Sequence, residues 1–407
     1  MHATKKPLTY IDVFAGCGGL SLGLADAGFE GIFAIEKNEC AFETLQANLI
    51  NEGARSHFQW PSWLPKTPHG IEQILAHYKK ELRELAGTVD LLAGGPPCQG
   101  FSSAGRRKAD DPRNQLFRSY LDLVRIVKPK MVLMENVKGF TMDFSGSEES
   151  YSDRLVAELS RNYSVYTKLV NVSAFGVPQN RVRYFVIGIR KGIQHHNPFS
   201  ILDENSRKFL RRLGLTFPVS SKSALSDLEI SRCGTRPSAN YSGFSEINYR
   251  GPKTTYQRLM SCSDGLVGDL RLANHTDVVT KRFASIISEC QAEGRLNRSV
   301  SEVMRAKFGI KKRALRVLDP DRPSPTVTSM PDDLLHYSEP RVLTVRENAR
   351  LQSFPDWFKF KGKYTTGGER RRVEVPRYTQ VANAVPPLAA RAIGEMLKEI
   401  LSSNELV

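Results

Sequence analysis

The first 190 residues alternate short apolar runs with longer amphipathic stretches. The short runs are rich in β-branched and aromatic residues and predict strands: TYIDVFAG, FAIE, VDLLAGG, KMVLMENV, VYTKLVNV and RYFVIGIR. Between them, LSLGLADAG, CAFETLQAN and residues 71–86 place apolar side chains at a helical period. Strands that alternate with helices are typical of βαβ units, so we predict an α/β fold with a doubly wound, mostly parallel sheet.

The pattern changes after Lys191, where polar, weakly periodic sequence extends to about Asp321. This change indicates a second, smaller domain or a large insertion. Helical periodicity returns in LTVRENARLQSF and in PPLAARAIGEMLKEIL, where the prolines mark the start of a helix. We therefore predict three parts: residues 1–191, residues 192–375 with a variable portion at about 195–320, and a C-terminal segment, 376–407.

The composition favours some classes of protein and disfavours others. The 58 Lys and Arg against 43 Asp and Glu leave a net charge of +15, which favours a polyanionic partner such as nucleic acid. No apolar run approaches the roughly 20 residues that cross a bilayer, and the N-terminal MHATKKPLTY lacks the apolar core of a signal peptide. The six cysteines form no C-x-x-C pair. We expect a cytoplasmic protein with reduced thiols, no membrane association and no metal site.

A glycine-rich turn, DVFAGCGGLSLGL at residues 12–24, separates a predicted strand from a predicted helix. Such a turn lets the backbone approach a bound nucleotide, and the helix N-terminus offers N–H groups to an anion. The run from Gly16 reads G-C-G-G-L-S, so it lacks the third glycine of the dinucleotide fingerprint. Glu36 ends the next strand, where an acid commonly binds ribose hydroxyls. The pattern indicates an adenosine-containing ligand, and a plain structural turn is the alternative.

Two further candidates follow predicted strands. Cys98 lies in AGGPPCQGFSSAG directly after VDLL, and Glu135 lies in MENV at the end of the next strand. Because ligands of open α/β sheets bind at the carboxyl ends of the strands, both side chains could face one crevice, with Cys98 as a thiolate nucleophile. A buried, inert cysteine and a solvated glutamate are the ordinary alternatives.

A pair of arginines, Arg181 and Arg183, lies two residues apart in FGVPQNRVRYFVIG. On an extended segment this spacing points both side chains to one side. Two cations on one face could bind phosphate or polarise a base oxygen. Solvated arginines on an edge strand are the alternative.

Together and in this order, the motifs resemble those of the DNA (cytosine-5) methyltransferases of the bacterial modification type. The resemblance covers nearly the whole chain apart from about residues 195–320. It implies the S-adenosylmethionine-dependent methyltransferase fold, with 1–191 as the catalytic domain, 192–375 as the target-recognition domain and 376–407 returning to the catalytic domain. The motifs that carry it are Phe14-Ala15-Gly16-Cys17-Gly18-Gly19, Gly95-Pro96-Pro97-Cys98-Gln99, Glu135-Asn136-Val137, Gln179-Asn180-Arg181-Val182-Arg183, RVLTVRENARLQSFP from Arg341 and QVANAVPP from Gln380.

The resemblance implies a catalytic role for four side chains. Cys98 would add to carbon 6 of cytosine, which turns the ring into an enamine that takes a methyl group at carbon 5. Glu135 would neutralise charge at ring nitrogen 3, Arg183 would bind the carbonyl oxygen of the base, and Arg181 would hold the loop around the thiolate. The target base has to leave the duplex first. The loop that closes over it would carry Gln99, Ser102 and Ser103.

S-adenosylmethionine is the cofactor that the resemblance implies. Phe14 would pack on adenine and Glu36 would bind the ribose, while the turn under the methionine end would comprise Gly16, Cys17, Gly18 and Gly19. The remaining pocket contacts would come from Pro97, Leu116, Asn383 and Val385. One departure concerns the acid that usually binds the adenine amine, because the corresponding stretch reads HFQWPSWLP. We expect Trp60 or Trp63 to stack on adenine instead.

The implied partner is a short specific sequence in double-stranded DNA. We expect a monomer, and a cognate restriction endonuclease, where one exists, would act separately. A cytosine-5 methyltransferase of transfer RNA stays open, since it would share every catalytic residue. A nicotinamide-dependent oxidoreductase could use the glycine turn and Glu36 but has no use for Pro97-Cys98 beside a distant Arg-x-Arg. A non-catalytic DNA-binding module would need neither Cys98 nor Glu135.

Overall fold

The structure is a computed structural model that describes residues 7–53, 58–96, 113–141, 150–261, 267–366 and 370–403. The chain divides into two compact units. The first unit comprises residues 1–172, 182–209 and 385–407, and the second comprises residues 173–181 and 210–384. The domains predicted at 1–191, 192–375 and 376–407 are defined by function. The division into compact units does not test them, so they stay predictions.

A mostly parallel sheet forms the centre of the first unit. The strands along this part of the chain are β1 (Leu8–Val13), β2 (Phe29–Ile35), β3 (Leu91–Gly94), β4 (Met131–Val137), β5 (Tyr163–Asn171), β6 (Gln179–Asn180) and β7 (Val182–Arg190). All except β6 belong to one sheet, in the order β2-β1-β3-β4-β7-β5. β1 to β4 pair in parallel, whereas β7 is antiparallel to β4 and β5. The α/β fold class predicted from the sequence is confirmed.

Helices fill the connections between the parallel strands. They are α1 (Gly19–Asp26), α2 (Glu39–Leu45) followed by a π-helical turn (Gln46–Ile50), α3 (Ile71–His77), α4 (Lys79–Glu84), α5 (Arg113–Val127) and α6 (Tyr151–Leu159). The prediction of a single helix over residues 71–86 is wrong, because the backbone of Tyr78 is not helical (φ −119°, ψ 27°) and separates α3 from α4. Its ring packs against Trp63, with centroids 5.5 Å apart, and this contact accompanies the break.

Short elements make up the chain beyond β7. The helices are α7 (Pro198–Arg212), α8 (Ser221–Leu225), α9 (Ile230–Cys233), α10 (Thr255–Met260), α11 (Asp277–Ala292), α12 (Glu302–Lys307), α13 (Val345–Leu351), α14 (Arg370–Glu374) and α15 (Arg377–Asn383). The strand pairs are β8 (Thr235–Pro237) with β9 (Ser245–Ile247), β10 (Arg316–Val317) with β12 (Leu334–Leu335), and β11 (Ser324–Pro325) with β6. Short 3-10 turns cover Lys138–Thr141, Val172–Phe175 and Pro331–Asp333.

A buried ion-pair group anchors α13 in the second unit. Arg350 is fully buried, and its guanidinium donates to Asp356 (Nε to Oδ1, 2.6 Å) and to Asp227 (Nη2 to Oδ2, 3.2 Å). A buried charge is tolerated only when it is paired and hydrogen-bonded, so these carboxylates make the site viable. α13 begins with a capping box in which Thr344 and Glu347 satisfy the first free N–H groups.

The last helix, α16 (Pro387–Ser403), belongs to the first unit and packs on α1. The approach is close at Gly23, where an added Cβ would lie 2.4 Å from Cβ of Ala390. A larger residue at position 23 would therefore push the two helices apart. Among the described residues, no helix combines the length and apolar character needed to cross a membrane.

Candidate active site

The glycine turn lies at the carboxyl end of β1. Its backbone is left-handed at Phe14 (φ 61°), Gly16 (φ 56°) and Gly18 (φ 95°). An added Cβ at Gly16 would meet no atom within 4 Å, so the positive φ rather than crowding requires glycine there. The turn is thus lined by open space on the side of Gly16, as a cradle for a ligand requires.

Glu36 and the glycine turn are joined directly. Oε2 of Glu36 accepts from the backbone N of Gly16 at 2.9 Å, and Oε1 accepts from the backbone N of Asn38 at 2.7 Å. Burial raises the pKa of the Glu36 carboxyl, and these two backbone hydrogen bonds oppose the rise because they favour the charged form. Residues 20 positions apart in sequence therefore share one corner of the site.

Two buried titratable groups belong to the glycine-rich segment 12–24. Asp12 is buried and accepts from the hydroxyl of Ser21 through Oδ2, and burial raises its pKa to about 7. Cys17 is also buried, and burial raises the pKa of its thiol to about 12. A thiol with such a pKa is protonated at neutral pH, so the side chain of Cys17 is not a nucleophile.

Glu135 and Arg183 form the charged pair of the site. Nε of Arg183 lies 2.9 Å from Oε1 of Glu135, and the two side chains are 13% and 11% exposed. The register of the antiparallel β4–β7 pair explains the contact, because Val137 lies opposite Arg183. Glu135 comes two residues earlier on β4 and therefore points to the same face as a diagonal neighbour.

The residues next to this pair, Gly95 and Pro96, begin the motif Gly95-Pro96-Pro97-Cys98-Gln99. An added Cβ at Gly95 would lie 3.3 Å from Oε2 of Glu135, and Nδ2 of Asn136 donates to the carbonyl of Pro96 at 3.2 Å. Two motifs 40 residues apart thus meet at the carboxyl ends of β3 and β4. Sequence reasoning did not single out Asn136, although its place in Glu135-Asn136-Val137 was a signal. The described residues end at Pro96, and the predicted site residues beyond it, which are Pro97, Cys98, Gln99, Ser102 and Ser103, lie outside them.

Arg181 has different partners from Arg183. Its side chain is buried, and Nη2 donates to the carbonyls of Ala382 at 2.8 Å and Ala384 at 3.3 Å. Arg181 lies between the end of β6 and the start of β7, so the alternation of side-chain direction along a strand does not apply to it. The two arginines therefore bind different groups, Arg181 the carbonyls near the end of α15 and Arg183 the carboxylate of Glu135.

The remaining predicted cofactor residues have contrasting exposures. Leu116 is half-buried on α5, Asn383 is exposed at the end of α15, and Val385 is buried just before α16. Asn383 belongs to the second unit and Val385 to the first. Within the described part of the chain, no cluster of three or more His, Cys, Asp or Glu residues could hold a metal ion.

Of the two tryptophans expected to offer a ring to adenine, Trp60 belongs to the hydrophobic core. Trp60 is 7% exposed, and its Nε1 donates to the carbonyl of Leu64 at 2.8 Å. The rings of Phe42 and Phe58 pack at an angle to it, with centroid distances of 6.2 and 6.0 Å, so the indole is part of the core. Trp63 is half-buried and stays the aromatic candidate for a cofactor contact.

A family model described as C-5 cytosine-specific DNA methylase matches residues 8–399. The chain belongs to the C-5 cytosine-specific DNA methylases. The family resemblance drawn from the motifs is thereby confirmed, and the protein is a DNA cytosine-5 methyltransferase. It is similar to the type II methyltransferase M.DdeI of Desulfomicrobium norvegicum, with 31% identity across 98% of this chain and 91% of that protein. It is also similar to the type II methyltransferase M1.HphI of Haemophilus parahaemolyticus, with 30% identity across 98% and 88% of the two chains.

Two solved structures share the fold. A prophage-encoded E. coli protein described as a DNA modification methyltransferase has a TM-score of 0.65 and 27% identity, with 97% of this chain and 99% of that chain covered. The S. pombe Dnmt2 methyltransferase has a TM-score of 0.53 at 16% identity, with 98% and 99% covered. At that identity the second likeness shows the fold alone.

Proposed function

We propose that this methylase transfers a methyl group from S-adenosylmethionine to carbon 5 of a cytosine that is flipped out of double-stranded DNA. The observation that carries the proposal is the largely buried Glu135–Arg183 pair, in which Glu135 lies against Gly95, just before the Pro97-Cys98 motif in sequence. The similarity to type II methyltransferases supports duplex DNA as the substrate and a role in restriction-modification.

The turn and Glu36 fit S-adenosylmethionine. The open space beside Gly16 accommodates a ligand, and the Glu36 carboxylate can accept from ribose hydroxyls because a carboxylate has acceptor capacity beyond its two backbone bonds. When bound, the cofactor supplies an electrophilic methyl group. The residues proposed to hold it are Phe14, Gly16, Cys17, Gly18, Gly19, Glu36, Pro97, Leu116, Asn383 and Val385.

Carbon 5 of cytosine is too weak a nucleophile to be methylated directly. In the proposed reaction the Cys98 thiolate forms a bond to carbon 6, and the electron pair of the 5,6 double bond moves towards carbon 5 and ring nitrogen 3. Glu135 stabilises the charge at nitrogen 3 by a hydrogen bond or a proton. Arg183 binds the carbonyl oxygen of the base and, through its ion pair, holds Glu135 in orientation.

The reaction is completed on the same base. Carbon 5 takes the methyl group and then loses its proton to a base, after which the carbon–sulfur bond to Cys98 breaks and the double bond returns. None of these atoms is accessible within stacked duplex, so the cytosine has to be flipped out at a cost of a few kcal/mol. We assign closure over the flipped base to the loop that carries Gln99, Ser102 and Ser103.

We assign target recognition to residues 192–375, because phosphate contacts carry no sequence information and the catalytic groups read only one base. Arg236 and Arg250 are exposed there, and Arg236 pairs with Glu246 at 2.8 Å. The test is a graft of residues 195–320 from a methylase of different specificity. An active graft should modify the donor's site, and continued modification of the original site would place specificity elsewhere.

Bisulfite sequencing of DNA from cells that express the protein tests the proposed function. Cells with the wild-type protein should contain protected cytosines at one short sequence, and cells with Cys98→Ala should contain none. Methylation of transfer RNA by the purified wild-type protein, without methylation of duplex DNA, would refute the DNA assignment. A Cys98→Ala protein that still protects the same sequence would refute the covalent mechanism.

A further inference from the structure

Side chains from two distant segments hold the C-terminal turn of α15. This helix ends at Asn383, and Pro386 and Pro387 follow, which have no N–H to donate. The last carbonyls of a helix lack partners within the helix and need donors from elsewhere. Here the donors are Gln352 and Arg181.

Gln352 is fully buried and follows α13 directly. Its Nε2 donates to the carbonyl of Val381 at 2.8 Å and lies 3.5 Å from the carbonyls of Ala382 and Ala384. Nη2 of Arg181 donates to Ala382 and Ala384 at 2.8 and 3.3 Å. The amide and the guanidinium thus bind carbonyls on both sides of residue 383.

A second buried amide fixes the orientation of the first. Nε2 of Gln179 donates to Oε1 of Gln352 at 3.0 Å and to the carbonyl of Leu351 at 3.1 Å. Oε1 of Gln179 accepts from the backbone N of Val327 at 3.0 Å. Because Oε1 of Gln352 is engaged as an acceptor, its NH2 group has to face the carbonyls of α15.

This cluster lies where the chain leaves the second unit. One exit follows Arg181 and leads within two residues to Arg183, and the other follows Ala384 and leads to Val385. We propose that Gln352 is a positioning residue for the cofactor: its amide fixes the turn that carries the cofactor residues of the C-terminal motif. The inference rests on the proposed function, because that function assigns Val385 to the cofactor.

A matched control is available on α15 itself. Gln380 is also buried, and its Nε2 donates to two backbone carbonyls, those of Lys361 and Val375, each at 3.0 Å. Gln352→Met and Gln380→Met remove amides of the same size and similar bonding. A purely structural effect would lower the midpoint of thermal unfolding in both and would leave cofactor affinity in the two folded variants alike.

The experiment measures the dissociation constant of S-adenosylmethionine by calorimetry at a temperature at which both variants are folded. We expect Gln352→Met to raise it about tenfold, the equivalent of one lost hydrogen bond, and Gln380→Met to change it less than about twofold. Equal affinities in the two variants would overturn the positioning role. Where Gln352→Met does not fold, Gln352→Asn keeps the amide but shortens its reach, and the same comparison applies.

The wild-type protein provides the test that separates the two hypotheses. Wild-type protein that binds S-adenosylmethionine and methylates DNA, together with a Gln352 variant of normal affinity, would overturn the positioning role alone. Wild-type protein that does not bind the cofactor would refute the proposed function and the positioning role with it.

Discussion

Arg183 and Glu135 are joined by a 2.9 Å contact between Nε and Oε1, at a position where neither side chain is more than 13% exposed. The pair links the start of β7 to the carboxyl end of β4. An ion pair in such a desolvated place is held in a defined geometry, which catalysis by charge stabilisation requires. We therefore interpret it as a preorganised receptor for the ring of cytosine.

Glu135→Gln should strongly lower the methylation rate and leave the affinities for DNA and cofactor nearly unchanged. The amide keeps the size of the side chain but cannot deliver a proton to ring nitrogen 3, and loss of such a group lowers a rate by about 10² or more. The rate is measured in single turnover with saturating DNA and cofactor. Glu158→Gln, which removes an ion pair with Arg125 elsewhere in the first unit, is the control and should leave the rate unaltered. Equal rates for Glu135→Gln and wild type would contradict the assignment.

Glu36→Ala should weaken S-adenosylmethionine binding by about 1 to 3 kcal/mol, because a charge-assisted hydrogen bond to ribose is lost. The affinity for DNA without cofactor should change little. Glu39→Ala, an exposed carboxylate three residues further on, serves as the matched control. Similar losses for both ligands would instead show that Glu36 acts only through its bonds to Gly16 and Asn38.

Asp12→Asn should alter the pH dependence of stability. The pKa of Asp12 is about 7 in the folded protein and 3.8 in the reference state, so between these values the folded chain binds more protons than the unfolded chain. The free energy of unfolding therefore falls as pH rises from about 4 to 7, and by at most about 1.4 kcal/mol per pH unit from this residue. Asparagine does not titrate. Urea unfolding from pH 4 to 8 should show the variant gaining on wild type up to pH 7, and parallel curves would exclude this role.

The sequence was sufficient to predict which strand ends line the site, because strand patterns and glycine turns are local features of the sequence. Strands that end in a glycine turn, in Glu36 or in Glu135 have to meet at one edge of a parallel sheet, and the structure brings them there. The antiparallel insertion of β7 between β4 and β5 is not encoded locally, yet it delivers Arg183 to Glu135.

Long-range partners explain what the sequence did not reveal. Arg181 binds the carbonyl of Ala382, 201 residues away, and no periodicity records such a contact. The same holds for Gln179 and Gln352, separated by 173 residues, although both lie within motifs that marked the family. The sequence did not distinguish buried Trp60 from half-buried Trp63, because burial of an indole depends on the packing of its neighbours, which a single sequence does not specify.

The proposed covalent bond between Cys98 and the target base can be trapped directly. Fluorine cannot leave carbon 5 as a proton does, so a duplex that carries 5-fluorocytosine at the methylated position should trap the adduct. With S-adenosylmethionine present, the wild-type protein should form a complex with this duplex that survives denaturing electrophoresis, and Cys98→Ala should form none. A denaturation-resistant complex with Cys98→Ala, or its absence with a wild-type protein that methylates the unmodified duplex, would contradict the account.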